Sequence, residues 1–364
     1  MNRVLSANLT PNRLKAELQT RAPFRLLPSA IFLPPPAAVY AAPVLKGVWR
    51  RLDDWVIRAA CGSVRSAKGV ASRAEEALQR LSRPDCFHPA VEVPELRFRS
   101  ERDFEFDSPL PSPWDRNNRV RGRIYRAGER WQERPAALLV HGWNGELGYD
   151  YQFPYLSRHL RRQGINAVML ELPYHGTRRP RGPMEESNFL SPDFLSMVEA
   201  VRQALAEMGA MIRWLETQGV RRVGVWGVSL GGWLSGLLVS HHPGLHAAVL
   251  VTPVVQMNRA VDQLPFFHPV RENLRGETFD LGVLNLDVRK PLLPPEQILL
   301  VAAHHDRFVP FASVEGLRNA WGNPPFWTRP HGHISILLSL TTMKATTRWL
   351  AERLGQREKA EGGR

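Results

Sequence analysis

Residues 222–232 read RVGVWGVSLGG. The stretch begins as a short apolar run typical of a buried strand, and the small residues at its end predict a sharp turn into a helix. Gly227, Ser229 and Gly231 fit the spacing G-x-S-x-G, in which a serine occupies a strained strand-to-helix turn and projects above a sheet. The residues two before and two after the serine lie close to neighbouring backbone, so both must be small.

Apolar strands alternate with helical patterns from residue 135 onwards, which predicts βαβ units and a mostly parallel central sheet of the α/β class. The predicted strands are 136–140, 166–171, the run before Ser229, 246–251, 297–303 and 325–328. The predicted helices are 150–163, 192–219, 233–240 and 334–354. Residues 90–130 mostly alternate apolar and polar side chains, which indicates antiparallel strands at one edge of the sheet.

The pattern divides the chain into three parts. Residues 1–89 are expected to form a proline-rich leader followed by a helical hairpin, with helices at 44–60 and 64–81. Residues 90–354 are expected to form the main domain, which a lid at about 253–296 interrupts. The charged residues 355–364 are expected to be a disordered tail.

The chain carries a net charge of +13, and residues 1–89 contribute 14 basic against 6 acidic side chains. This positive charge favours binding to anionic surfaces. The sequence contains no recognisable nucleic-acid-binding module, however, so no nucleic acid is expected as a partner. The helix expected at 44–60 has tryptophans on one face and arginines on the other, which suits either peripheral membrane contact or packing on the main domain. Without a secretory signal or an apolar run of membrane-spanning length, a cytoplasmic location is expected.

A serine hydroxyl becomes a good nucleophile only when a base takes its proton, and a third group must orient that base. With a serine on such a turn, the three groups are expected in the chain order serine, acid, histidine. Asp306 is the candidate acid, because it follows the predicted strand 297–303. His333 is the candidate base, because it follows a glycine and directly precedes the closing helix. His331 is the alternative base, and Asp280 is a weaker alternative acid.

An acyl-transfer site also needs backbone N–H groups aimed at the developing oxyanion. One candidate donor is the amide of Leu230, directly after Ser229. The other is the amide of Trp143, in the stretch LLVHGWNG at residues 138–145. His141 and Gly142 form the tight turn of that loop and are expected beside the substrate, with His141 supporting the loop rather than transferring protons.

Residues from about 105 to 354 resemble the α/β-hydrolase superfamily in four features: the His-Gly loop, the Ser229 turn, an acid in Asp-x-x-Val-Pro, and Gly-His before the last helix. The segment ELPYHGTRRP at 171–180 resembles the Pro-x-x-Gly loop that follows the second parallel strand in this superfamily. Within it, the chain is similar to bacterial serine esterases of the lipase and dienelactone-hydrolase-like kind. The resemblance implies ester hydrolysis through a catalytic triad, an oxyanion hole and an acyl-enzyme, without a cofactor.

Two segments are expected to shape the pocket. Residues 174–195 begin with Tyr174 and carry Arg178, which is available to an anionic substrate group or to solvent. The lid supplies apolar side chains for an acyl group, namely Val254, Val255, Met257, Leu264, Phe266 and Phe267. The expected partner is therefore a small-molecule ester with an apolar acyl group.

Several other functions are compatible with this sequence. A thioesterase, an amidase or an acyltransferase would need the same triad, and a non-catalytic binding protein could share the scaffold. A metal hydrolase could use His331 with His333, or His304 and His305 with Asp306. Neither set completes a ligand pattern of recognised spacing, so no metal is expected. The sequence leaves the substrate and the oligomeric state open.

Overall fold

The computed structural model describes residues 43–61, 73–143, 145, 148–181, 189–275 and 281–355. The expected leader, the start of the helix expected at 64–81, Asp280 and nearly all of the expected tail lie outside these residues. Within them a nine-stranded sheet runs through the protein. Its strands are β1 (Arg97–Phe98), β2 (Asp103–Asp107), β3 (Arg119–Tyr125), β4 (Ala136–Val140), β5 (Asn166–Leu170), β6 (Val223–Val228), β7 (Leu245–Val251), β8 (Ile298–Ala303) and β9 (Phe326–Arg329).

The strands lie in the order β1-β2-β3-β5-β4-β6-β7-β8-β9. The first three pair antiparallel with one another, and β3 pairs antiparallel with β5. Every pair from β5 to β9 is parallel, with Leu139 opposite Met169 on one side and Trp226 on the other. The predicted α/β class, with antiparallel strands at one edge of a mostly parallel sheet, is therefore confirmed. The apolar residues at 91–93 do not form a strand.

Eleven α-helices surround the sheet in the described part of the chain. They are α1 (Pro43–Cys61), α2 (Ala74–Leu81), α3 (Asp115–Asn118), α4 (Phe153–Arg162), α5 (Phe194–Thr217), α6 (Leu230–His241), α7 (Met257–Gln263), α8 (His268–Asn273), α9 (Phe311–Ala320), α10 (His333–Leu337) and α11 (Leu340–Gly355). The single closing helix predicted at 334–354 is two helices, α10 and α11. None of the described helices is both long and apolar enough to cross a membrane.

Helices cover both faces of the sheet, because alternate side chains of each strand point to opposite sides. Leu138 and Val225 belong to a core shared with α5, α6 and α9. Their chain neighbours Leu139 and Trp226 belong to a second core shared with α4 and α11. The parallel strands are therefore buried on both faces, which explains their nearly continuous apolar sequences.

The N-terminal helix α1 packs on the main domain. It contacts α10 and the short turn at Pro265–Phe267, which lies in the insertion between β7 and β8. Arg50, Arg51 and Arg58 on this helix are exposed, whereas Asp53 is buried. The same insertion contains α7 and α8, so α1 lies where this insertion meets the closing part of the chain.

Candidate active site

Ser229 lies between β6 and α6 with φ 55° and ψ −118°, a conformation that non-glycine residues rarely adopt. The two flanking glycines are sterically required, as the sequence predicted. A Cβ on Gly227 would lie 2.3 Å from the carbonyl oxygen of Gly231, and a Cβ on Gly231 would lie 2.3 Å from the carbonyl oxygens of Val140 and His141. The turn therefore packs tightly against the loop that follows β4, and the serine hydroxyl stands at the end of the sheet.

His333 is the first residue of α10, and its Nε2 lies 2.8 Å from the Oγ of Ser229. Its Nδ1 lies 2.8 Å from the Oδ2 of Asp306, and the two side chains are 4% and 1% exposed. The other carboxylate oxygen of Asp306 accepts hydrogen bonds from the amides of Phe308 and Val309 at 2.8 and 2.7 Å. The structure thus brings Ser229, His333 and Asp306 into one hydrogen-bonded chain.

This chain of contacts determines which ring nitrogen of His333 carries the proton. A carboxylate only accepts hydrogen bonds, so Nδ1 donates to Asp306 and Nε2 is left to accept from the Ser229 hydroxyl. Burial acts to lower the pKa of His333, but the charge and hydrogen bond of Asp306, with a further contribution from Asp53, raise it above its ordinary value. The ring is therefore a stronger base than burial alone would leave it.

His331, the alternative base, has its ring beside Trp49 of α1. Its ring centroid is 5.9 Å from that of Trp49, and its backbone carbonyl accepts from the amide of His305. Burial, followed by the charges of Arg329 and His305, lowers the pKa of His331 to about 4. Of the two candidate histidines, His333 is the one hydrogen-bonded to both Ser229 and Asp306.

The predicted oxyanion loop lies against the serine turn. A Cβ on Gly142 would lie 3.3 Å from the Cβ of Ser229, so a side chain here would push the loop slightly away from the serine turn. The Nε2 of His141 accepts from the amide of Leu172 at 3.0 Å, and its Nδ1 donates to the carbonyl of Gly142 at 2.8 Å. His141 therefore supports the loop. Leu230 is the first residue of α6, so its amide has no acceptor within the helix.

Arg178 and Tyr174, expected at the substrate, do not line the cavity beside Ser229. The side chain of Arg178 is fully buried, and all five of its N–H groups donate: to both carboxylate oxygens of Glu207 and to the carbonyls of Asn117 and Glu171. Tyr174 is buried in the core, where Ser112 hydrogen-bonds its side chain. The expectation that Arg178 binds substrate is wrong, because nothing remains on its guanidinium to bind with.

A cavity of about 210 Å³ opens beside Ser229. Five of the six apolar lid residues named from the sequence line it, while Val255 lines a neighbouring cavity. Trp143 closes one side, with its ring 4.7 Å from that of Phe266. Trp55 and Val56 of α1 also line the cavity, which the sequence did not predict.

Asp53 is the functional candidate that sequence reasoning missed. It lies on α1, is fully buried, and its carboxylate accepts hydrogen bonds from the amides of Arg307, His333 and Ile334. A carboxylate beside the apolar face of an amphipathic helix was the available signal, but its partner could not be read from the sequence. Within the part of the chain that the structure covers, no cluster of three or more His, Cys, Asp or Glu side chains has the geometry to hold a metal ion.

Relatives in Mycobacterium tuberculosis were found by sequence comparison. Two uncharacterized proteins, one each from strains CDC 1551 and H37Rv, are 29% identical to this chain over 230 residues, which is 61% of this chain and 54% of each relative. The chain thus spans about half the length of the curated relatives it matches.

A structural comparison adds the esterase Pf2001 of Pyrococcus furiosus, which aligns with a TM-score of 0.50 at 16% identity. The alignment covers 72% of this chain and 93% of the esterase, and it supports a shared fold. The family model described as "alpha/beta hydrolase domain containing 18" matches residues 67–264, more than half of the chain, including β4, the Ser229 turn and α6. The chain therefore belongs to the alpha/beta hydrolase domain containing 18 family, a branch of the α/β-hydrolase superfamily.

Proposed function

We propose that this protein is a serine hydrolase that cleaves a carboxylic ester through an acyl-enzyme intermediate. The observation that carries the proposal is the chain from Ser229 Oγ to His333 Nε2 and from His333 Nδ1 to Asp306 Oδ2, with 2.8 Å at each step. The serine stands at a strained turn directly before a helix, the place that a nucleophile of this kind requires.

In the first half of the reaction, Ser229 Oγ attacks the ester carbonyl carbon while His333 Nε2 takes the hydroxyl proton. Asp306 holds the ring and stabilises the imidazolium that forms. The carbonyl oxygen becomes an oxyanion, and the amides of Leu230 and Trp143 are its proposed hydrogen-bond donors. The intermediate then collapses, and the alcohol leaves with the proton from His333.

In the second half, water attacks the acyl-serine while His333 takes its proton. The second tetrahedral intermediate collapses, the acid leaves, and the proton returns to the Ser229 oxygen. The lining of the cavity by Trp143, Met257 and the lid phenylalanines favours an apolar acyl group. Thioesters and amides would pass through the same steps, and an alcohol replacing water would make the protein an acyltransferase.

The proposal is tested with a fluorophosphonate probe, which modifies activated serines. Wild-type protein, Ser229→Ala and Ser240→Ala are treated in parallel and assayed on aryl esters from acetyl to palmitoyl. Ser240 is the matched control, because it lies on α6, the helix that directly follows Ser229, and its hydroxyl donates to the carbonyl of Gly236. We expect labelling and turnover in the wild type and in Ser240→Ala, and neither in Ser229→Ala.

The same assays separate the alternatives. Aryl thioesters and anilides in place of the esters would identify a thioesterase or an amidase, and added alcohol acceptors would detect acyl transfer. A folded wild-type protein that neither labels nor turns over any of these compounds would contradict the proposal. It would favour a binding protein on the hydrolase scaffold.

A further inference from the structure

The carboxylate of Asp53 bridges the N-terminal helix and two loops of the candidate site. Its Oδ2 accepts from the amide of His333 at 2.8 Å and from that of Arg307 at 3.1 Å, and its Oδ1 accepts from the amide of Ile334 at 3.0 Å. Arg307 directly follows Asp306, and His333 begins α10. One side chain from α1 therefore holds the backbone on both sides of the Asp306–His333 contact.

These amides need an acceptor. The first N–H groups of a helix have no partner within it, which applies to His333 and Ile334 in the first turn of α10. Buried amides without acceptors are costly, and a carboxylate that accepts several backbone hydrogen bonds is an effective partner. Asp53 thus stabilises the orientation in which His333 enters α10, with its ring directed at Ser229.

The surrounding residues fit closely around this carboxylate. A Cβ on Gly332 would lie 2.8 Å from Asp53 Oδ2 and 3.0 Å from the carbonyl oxygen of Trp49, so α1 packs closely against this glycine. The side chain of the adjacent Asp54 points elsewhere, to the surface, where it pairs with the Arg307 guanidinium at 3.1 Å. Two neighbouring aspartates therefore offer a natural comparison, because only one of them contacts the backbone of His333.

We infer that Asp53 is a positioning residue that acts through His333, and that α1 thereby completes the active site from outside the sheet. The inference rests on the proposed function. Asp53 also acts through its charge. The charged groups that face the His333 ring among the described residues are Asp306, after β8, and Asp53, on α1. The nearby Arg307 guanidinium pairs with Asp54.

The charge of Asp53 favours the protonated form of His333 and so raises its pKa. Removing that charge should let the pKa of His333 fall. Since His333 must be neutral to accept the serine proton, the acid limb of activity should then move to lower pH. A substitution that only loosened the packing of α1 would slow the reaction without moving this limb.

The test measures the rate of fluorophosphonate labelling and the value of kcat/KM from pH 5 to 9 in wild type, Asp53→Asn, Asp53→Glu and Asp54→Asn. For Asp53→Asn we expect the labelling rate and kcat/KM to fall about tenfold to a hundredfold, which is the effect of losing charge-assisted hydrogen bonds. The reason is that the amide N–H₂ of the new asparagine then faces backbone N–H donors. Its acid limb should move to lower pH, because the charge that raises the pKa of His333 is gone. Asp53→Glu keeps the charge and should keep the limb near that of wild type, and Asp54→Asn should match wild type in both readouts.

An Asp53→Asn protein that labels at the wild-type rate would overturn the inference, and so would a slowed protein whose acid limb is unchanged. If Asp53→Asn does not fold, Gly332→Ala replaces it, since the added methyl pushes the carboxylate away while the charge remains. Wild-type labelling kinetics in a folded Gly332→Ala protein would also overturn the inference. Absence of labelling in the wild type would instead reject the proposed function, and the role of Asp53 with it.

Discussion

Ser229 Oγ and His333 Nε2 lie 2.8 Å apart, although 104 positions separate the two residues in the chain. The serine follows the carboxyl end of β6, and His333 follows β9 by a few residues. Parallel strands bring their carboxyl ends to one edge of the sheet, which is where such folds bind ligands. The contact is therefore a consequence of topology, and it yields predictions that can be checked residue by residue.

Replacing Asp306 with Asn should reverse the tautomer of His333. The Asn carbonyl oxygen would keep the hydrogen bonds to Phe308 and Val309, so its amide nitrogen would face Nδ1 and donate to it. Nε2 would then carry the proton and could not accept one from Ser229. We expect kcat to fall about 10⁴-fold with little change in thermal stability. Wild-type turnover in this variant would show that Asp306 does not orient the base.

Replacing Gly231 with Ala should prevent the serine turn from closing. The new methyl would meet two backbone carbonyl oxygens at 2.3 Å, and backbone cannot move aside as a side chain can. We expect destabilisation of about 3 kcal/mol or more, measured by denaturant unfolding.

Gly316→Ala is the matched control, because Gly316 is exposed on α9 and a methyl added there would meet no atom within 4 Å. This control should stabilise the protein by about 0.5–1 kcal/mol. Equal unfolding midpoints in the two variants would contradict this account of the turn.

Replacing Arg178 with Met should affect stability and not substrate affinity. The substitution leaves the carboxylate of Glu207 buried without its charge partner, which costs about 3–5 kcal/mol. Arg181→Met, at an exposed position of the same loop, should change stability little. KM measured on the fraction of Arg178→Met that remains folded should equal that of wild type. A raised KM at unchanged stability would restore the expectation that Arg178 binds substrate.

Adding bulk at Leu337 should shorten the preferred acyl chain. Leu337 lines the cavity beside Ser229 and is only partly buried, so Leu337→Trp can narrow the cavity at modest cost to the fold. We expect kcat/KM for octanoyl esters to fall at least about tenfold relative to acetyl esters. Leu340→Trp lies on α11 at an exposed position and should leave the ratio unchanged. An unchanged ratio in Leu337→Trp would place the acyl group elsewhere.

Stability should rise with pH between about 4 and 6.5 through His242. Burial, followed by the charges of His88 and Arg213, lowers the pKa of His242 to about 4. The unfolded chain takes up this proton near pH 6.5 and the folded chain does not, so acid favours unfolding over that interval. We expect His242 to contribute a loss of about 1–2 kcal/mol between pH 7 and 5, visible in denaturant midpoints.

The variant His242→Asn tests the source of this slope. Its amide oxygen can replace Nδ1, which accepts from the amide of Gly244 at 3.0 Å, while the titrating group is gone. The pH dependence of stability should therefore become flatter. His268→Asn removes an exposed histidine and is the matched control. A slope that His242→Asn does not change would assign the effect to other groups.

Short-range patterns in the sequence were sufficient for the fold class and for several local features. The apolar run before Ser229 and the glycines around it are local constraints, because the strand, the strained turn and the required small residues all lie within eleven positions. Asp306 and His333 could be proposed because each follows a predicted strand. Their approach to Ser229 depends on how parallel strands align, which the βαβ pattern already indicates.

Contacts between segments distant in sequence required the tertiary structure. Nothing near Arg178 indicates that Glu207, on α5, would accept hydrogen bonds from its guanidinium, and an arginine in a loop is typically solvated. Nothing near Asp53 indicates that it accepts a hydrogen bond from an amide 280 positions away. The physical reason is the range of the interactions: hydrophobic periodicity and backbone sterics act between near neighbours in the chain, whereas the partner of a buried charge is determined only when distant segments pack together.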